Sequence, residues 1–178
     1  MSLILILLIG LVGVFLILLM KRPLIEILGE NNKLVLKLKN AIWFQNHWLS
    51  GIFLFFMNAV LFFSTVFMLY MLAYFSIPFI HLLVMIFAVI GSIFLWIIIN
   101  KASLSTKKNH WKMATVGSSF YIILSLMFIY WLVTLKPSYP GEDTFMNAIG
   151  LVLGVIVTMV AFISCFVITG YSNKKADN

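Results

Sequence analysis

The sequence predicts an all-α integral membrane protein with five transmembrane helices. Of its 178 residues, 63% are hydrophobic and only 10% are charged, and short polar breaks separate five long apolar runs. Each run is near or above the ~20 residues that cross a ~30 Å hydrocarbon core as a helix. A bilayer offers no partner to unpaired backbone groups, so these runs must be helical. The runs are Leu3–Met20, Trp48–Phe75, Pro78–Asn100, Ala114–Leu135 and Phe145–Tyr171.

The basic residues predict the orientation of these helices. Four polar breaks separate the five runs. Of the 12 Lys and Arg residues, only Lys136 lies in the second or fourth break, and all the others lie in the first break, the third break or the C-terminal tail. Under the positive-inside rule this pattern places the N-terminus outside and the C-terminus in the cytoplasm. The net charge of +7 therefore indicates topology and contact with anionic lipid headgroups rather than nucleic-acid binding.

The first apolar run is expected to stay in the protein as a span. It has no basic segment before it, and Lys21-Arg22-Pro23 follows it where a signal peptide would have small residues. We expect a multi-pass protein of the plasma membrane. Lysine far exceeds arginine and there is no Asn-x-Ser/Thr sequon, which is typical of a bacterial protein.

The first polar break, residues 21–47, is predicted to be a basic cytoplasmic loop. Within it, Lys33–Lys39 alternates as a strand would, but a strand beside a membrane needs a partner. As a helix, the same segment places Lys33 and Lys37 one turn apart and can lie on the membrane surface. We therefore expect an interfacial helix, which is also a place where a cytoplasmic partner could dock.

Aromatic residues near the ends of the runs support the assigned depths, because amphipathic rings prefer the headgroup level. The rings expected at the cytoplasmic level are Trp43, Trp48, Trp96, Trp111 and Tyr171.

Two similar polar segments suggest an internal repeat within a single domain, residues 1–178. Asn-His-Trp opens the second and fourth runs, and Asn-Lys closes the third and fifth. The chain would then be a lead helix followed by two tandem hairpins in the same orientation, related by an axis along the membrane normal. A chance match of short interfacial segments is the alternative. The two hairpins would be residues 46–101 and 109–174.

Two polar side chains within the runs are candidate intramembrane contacts. Asn58 lies near the middle of the second run, where an amide is costly unless it is hydrogen-bonded. It therefore makes either a bond between helices or a contact with a solute or ion. His81 lies near the outer end of the third run, and either interfacial hydrogen bonding or a proton-linked role explains it.

His47 and His110 occupy equivalent positions in the proposed repeat. Two imidazoles across a pseudo-twofold axis could bind a metal ion or a haem iron. Each is followed by a tryptophan at a membrane edge, so interfacial anchoring explains both equally. Apart from this one candidate pair of metal ligands, we expect no metal site, cofactor site or catalytic residue.

Gly150 and Gly154 form a GxxxG motif in the last run, followed one turn later by Thr158. Small residues four apart allow two helix backbones to approach closely. The motif predicts helix packing, either inside this protein or against a second subunit.

The runs contain no well-buried Asp, Glu, Lys or Arg, and no enzyme motif is present. Proton-coupled transporters and membrane proteases need such groups. We therefore expect a non-catalytic protein that serves as an accessory or regulatory subunit of a larger membrane assembly, with another membrane protein or a second copy as its partner. The alternative is a transporter or binding protein for a small solute or ion, working alone or as a homo-oligomer.

Overall fold

The structure, a computed structural model, describes residues 33–75, 80–103, 107–137 and 144–170. Within these ranges it is helical almost throughout and contains no strand. The predicted first span Leu3–Met20, the last residue of the fifth run and most of the polar break before that run lie outside the described residues.

Five α-helices and one short 3-10 helix follow one another along the described chain. The 3-10 helix comprises Ile42–Gln45 and lies between the first two α-helices. The α-helices are α1 Lys33–Lys39, α2 His47–Tyr74, α3 Ile80–Ala102, α4 Lys107–Val133 and α5 Phe145–Gly170.

Helices α2 to α5 are each long and apolar enough to cross a membrane, which makes the chain a multi-pass membrane protein. Three of them begin and end within two residues of the predicted apolar runs. The fourth run was expected to begin at Ala114, but α4 begins seven residues earlier, at Lys107. Hydropathy marks the part of a helix that suits lipid, whereas backbone hydrogen bonding continues through polar residues beyond it.

The beginnings of α2 and α4 and the ends of α3 and α5 meet at one end of the bundle. Gly51 of α2 packs on Val116 of α4, and Gly170 of α5 packs on Ala114 of α4. Asn100 of α3 donates a hydrogen bond to the carbonyl of Ile168 in α5. We call this the lysine-rich end, because Lys33, Lys37, Lys39, Lys101, Lys108 and Lys112 lie there.

The hydrophobic core is concentrated in the half of the bundle next to the lysine-rich end. Leu54, Ile99, Met113 and Ile168, one from each long helix, are almost completely buried. Towards the other end the helices expose most of their apolar side chains, as Tyr74 at 76% and Val133 at 79% show. Close packing of the four helices therefore fades along the bundle axis.

Helix α1 packs against the lysine-rich end rather than forming a strand. Its Val35 is 3% exposed, and Phe44 of the following 3-10 helix is fully buried and contacts Phe53 of α2 edge to face. Asn46 then caps α2, because its side-chain oxygen accepts a hydrogen bond from the backbone N–H of Trp48 at 3.0 Å.

Candidate functional site

The centre of the described bundle is a buried amide, Asn58, which lies three turns into α2. Its side chain is fully buried. The start of α2 is fixed by the Asn46 cap, and the residues one turn and two turns before Asn58, Leu54 and Gly51, are buried against α4. Residues at this spacing share one face of a helix, so Asn58 faces the bundle interior.

The amide of Asn58 joins all four long helices. Trp96 Nε1 of α3 donates a hydrogen bond to Asn58 Oδ1 at 2.8 Å. Asn58 Nδ2 donates to the backbone carbonyl of Gly117 in α4 at 3.0 Å, and its other contact is Cys165 Sγ of α5 at 3.6 Å. One side chain of α2 therefore contacts each of the other three helices.

These contacts use both donors of the amide and one lone pair of its oxygen. The partners are themselves buried, since Trp96 is 3% exposed and Cys165 is fully buried. In an apolar medium these hydrogen bonds stabilise one arrangement of the helices. They leave no N–H donor for a solute, and they are the interhelical bonds that were one of the two roles expected for Asn58.

Trp96 corrects one sequence-based expectation. It was expected at the cytoplasmic headgroup level, but its indole points into the bundle, where it also packs edge to face on Tyr121 with ring centroids 6.2 Å apart. The buried acceptor on Asn58 explains this inward orientation, because an indole N–H needs a partner when it leaves water. Trp43, Trp48 and Trp111 are 46–56% exposed, as expected for an interfacial belt.

The carbonyl of Gly117 can be reached because α2 and α4 approach very closely there. A Cβ atom added to Gly117 would overlap the side chain of Leu54 and would lie only 2.7 Å from Leu54 Cβ. A Cβ atom added to Gly51 would lie 2.9 Å from Val116 Cβ. Leu54 is fully buried and has little room to move. Two glycines therefore set the distance between α2 and α4.

A second polar cluster closes the end of α5. Asn100 Nδ2 of α3 donates to the carbonyls of Ile168 at 2.8 Å and Thr169 at 3.1 Å. The Nδ1 atom of His110, in α4, lies 3.4 Å from the same Thr169 carbonyl. The last four carbonyls of a helix lack intrahelical hydrogen-bond partners. Here the side chains of two other helices contact two of these carbonyls.

The paired histidines differ in their surroundings. His110 is 2% exposed, inside the bundle, whereas His47 is only partly buried at the first position of α2. His47 Nε2 is buried and has no hydrogen-bond partner. Within the described part of the chain, no group of three or more His, Cys, Asp or Glu side chains could hold a metal ion.

The remaining candidates are dispersed. His81 is exposed near the start of α3, far from the lysine-rich end. Gly154 packs on the ring of Phe128 in α4, where an added Cβ would lie 3.2 Å from the ring, whereas Gly150 faces open space. Thr158 is buried and donates to the Gly154 carbonyl within its own helix at 2.8 Å. The GxxxG motif thus uses one glycine for α4–α5 packing and leaves the other uncovered.

Sequence reasoning missed three residues of this centre: Trp96, Gly117 and Gly51. Trp96 lies six residues before the end of α3, which is deeper than an interfacial ring, and that depth was a usable signal. The glycines carried a weaker signal, as each sits beside serine in an otherwise bulky segment, Ser50-Gly51 and Gly117-Ser118.

Comparison of the chain with protein-family models, curated proteins and solved structures finds no match.

Proposed function

We propose that this protein is a non-catalytic membrane protein that acts by association, as an accessory or regulatory subunit of a larger membrane assembly. The observation that carries the proposal is an exposed aromatic face on α2, which runs from the level of Asn58 into the half of the bundle where internal packing fades. We call it the aromatic stripe. Its members are 60% or more exposed, and they are Phe56, Phe63, Phe67, Tyr70 and Tyr74.

The spacing of the aromatic stripe places these rings on one side of α2, since intervals of seven, four, three and four residues follow the helical repeat. Lipid tails solvate any apolar side chain and place no special demand on the three phenylalanines, whereas the headgroup level also suits Tyr70 and Tyr74 near the end of α2. Aromatic residues are, by contrast, enriched at the centres of protein interfaces, where rigid rings contribute a large contact area. The stripe therefore suits a neighbouring transmembrane helix.

The polar groups inside the bundle support the same proposal, because most of them are hydrogen-bonded to other helices or to their own helix and are not available to bind a solute. Both N–H donors of the Asn58 amide are engaged within the bundle, and no acidic side chain lies among the described residues. The alternative, a small-solute or ion transporter, needs polar groups that a solute can reach. It would have to rely on other residues than Asn58.

The test is affinity purification of the tagged chain from its native membranes in a mild detergent, followed by mass spectrometry. We expect a partner in stoichiometric amount. A variant with Phe56→Leu and Phe67→Leu keeps the surface apolar but removes two rings worth ~1 kcal/mol each, and it should weaken association with the partner about thirtyfold and lower its recovery accordingly.

The matched control is Phe87→Leu with Phe94→Leu, which changes two exposed rings on α3 and should leave recovery unchanged. If the native chain is recovered alone as a monomer, association is not its function. A rise in thermal stability with an added solute would then favour the transport alternative.

A further inference from the structure

We propose that the lysine-rich end binds the headgroups of anionic phospholipids, with α1 and the following 3-10 helix forming an in-plane anchor. The inference is independent of any protein partner. It depends on the position of α1, the exposure of two of its lysines, and an exposed apolar group beside them.

Helix α1 is held in place by its inner face. Val35 is buried, and Leu38 packs beside it against the core. Gln45 Nε2 donates to the Lys39 carbonyl at 2.8 Å, which ties the 3-10 helix back to the end of α1. The anchor is therefore a fixed part of the bundle.

The outer face of α1 carries the charge. Lys33 and Lys37 lie one turn apart, roughly opposite Val35 around the helix, and both are exposed. At the same end of the bundle, Lys108 and Lys112 of α4 have the same spacing and are also exposed. Two basic faces thus share one end of the bundle.

The charge at this end is not balanced within the chain. None of the described residues is acidic, and of the 5 acidic residues only Glu26, Glu30 and Asp177 belong to the segments predicted on this side, against all basic residues but Lys136. The counter-charge must come largely from outside. Anionic headgroups supply it at the right depth, because they attract basic segments beside membrane helices.

Apolar side chains at the same level point to a membrane surface rather than to a soluble anion. Ile42 is 92% exposed on the 3-10 helix, and the ring of the adjacent Trp43 is 46% exposed. An isoleucine this exposed is stabilised when its side chain leaves water. Exposed lysines on α1, with an exposed isoleucine and indole on the adjoining 3-10 helix, combine the charged and apolar side chains that a bilayer interface accommodates.

The experiment reconstitutes the full chain in vesicles of brominated phosphatidylglycerol or brominated phosphatidylcholine, and in equimolar mixtures of each with the unbrominated other lipid. With the exposed Trp131 at the opposite end of α4 replaced by phenylalanine in every sample, quenching of tryptophan fluorescence reports which lipid occupies the surface near Trp43, Trp48 and Trp111. We expect phosphatidylglycerol to be preferred, and the double variant K33Q/K37Q to lower that preference about fivefold or more, as loss of charge near an anionic surface predicts.

The matched control is K136Q, which removes the one lysine predicted on the other side and should leave the preference unchanged. Added sodium phosphate should not compete beyond the effect of sodium chloride at equal ionic strength. Competition by sodium phosphate but not by sodium chloride would show that the lysines form a discrete anion-binding site, and the proposed contact with a membrane surface would then be wrong. Equal quenching by the two lipids, or a full preference kept by K33Q/K37Q with its thermal midpoint unchanged, would overturn the proposal.

Discussion

Asn58 shows how a single residue organises a membrane bundle. Lipid cannot hydrogen-bond an amide or an indole, so each must find a partner within the protein. Asn58 and Trp96 satisfy each other, and Gly117 supplies a backbone carbonyl as a further acceptor. The depth of Asn58 in an apolar run was enough to predict that it needs a partner. The identity of that partner depends on how α2, α3 and α4 rotate about their axes, which uniformly apolar sequences do not specify.

Asn58→Leu should destabilise the protein by ~2 kcal/mol, because it leaves the buried Trp96 N–H without an acceptor. Trp96→Phe should have a similar effect, since it leaves Asn58 Oδ1 unpaired and a small cavity beside it. The loss of unfolding free energy in the double variant should be ~1 kcal/mol smaller than the sum of the two single losses, because neither partner of the hydrogen bond is then left unpaired. Denaturant titration in mixed micelles measures all three free energies of unfolding. Strict additivity would show that the bond contributes nothing to stability.

At the scale of helices, glycine decides which pairs approach closely. Gly51 and Gly117 lie where α2 and α4 are in contact, and Gly154 packs against the ring of Phe128 in α4. A Cβ atom added to Gly150 would have no neighbouring atom within 4 Å. The GxxxG motif was expected to pack either inside this protein or against a second subunit, and within the described bundle only Gly154 makes such a contact. Motif spacing shows that two glycines share a face, but the crossing point of the partner helix decides which of them is used.

Gly117→Ala should therefore destabilise the protein by ~1–3 kcal/mol, the cost of inserting a methyl group into a packed contact. The new Cβ would overlap Leu54, which is fully buried and cannot swing away. Gly150→Ala is the matched control. It should be neutral or slightly stabilising, because the space beside it is open and alanine favours a helix. The thermal unfolding midpoint in detergent compares the two, and similar midpoints for both variants would mean that the α2–α4 contact is looser than the structure shows.

Helix positions could be predicted better than helix contacts. Four apolar runs became α2 to α5, and Lys33–Lys39 is a helix, because the need to satisfy backbone groups in or beside lipid leaves few other structures. The early start of α4 was missed, because Lys107 to Lys112 is polar and hydropathy does not register it. The inward turn of Trp96 and the capping of α5 by Asn100 were missed for a different reason. Both depend on contacts between helices that are distant in the sequence.

Across the whole molecule, packing and charge are concentrated at the same end. The buried core, the Asn58 centre and the Asn100–His110 cluster all lie towards the lysine-rich end, and the aromatic stripe extends towards the other. Among the described residues, a firmly packed end beside basic anchors and a looser apolar half beyond it provide a fixed base and an exposed lateral surface. This division agrees with the two proposals, which assign lipid headgroups to the first and a protein partner to the second.

The orientation of this molecule in the membrane follows from the same asymmetry and can be tested with cysteines. Cys165 is the only cysteine and is fully buried, so a membrane-impermeant maleimide should not label the native chain. Under the positive-inside rule, Lys136→Cys should be labelled in intact cells. Lys112→Cys should be labelled only after the membrane is permeabilised, since both side chains are exposed but lie at opposite ends of α4. The reverse pattern would place the lysine-rich end outside, and the proposed contact with the anionic inner leaflet would then be wrong, whereas the hydrogen bonds of Asn58 would be unaffected.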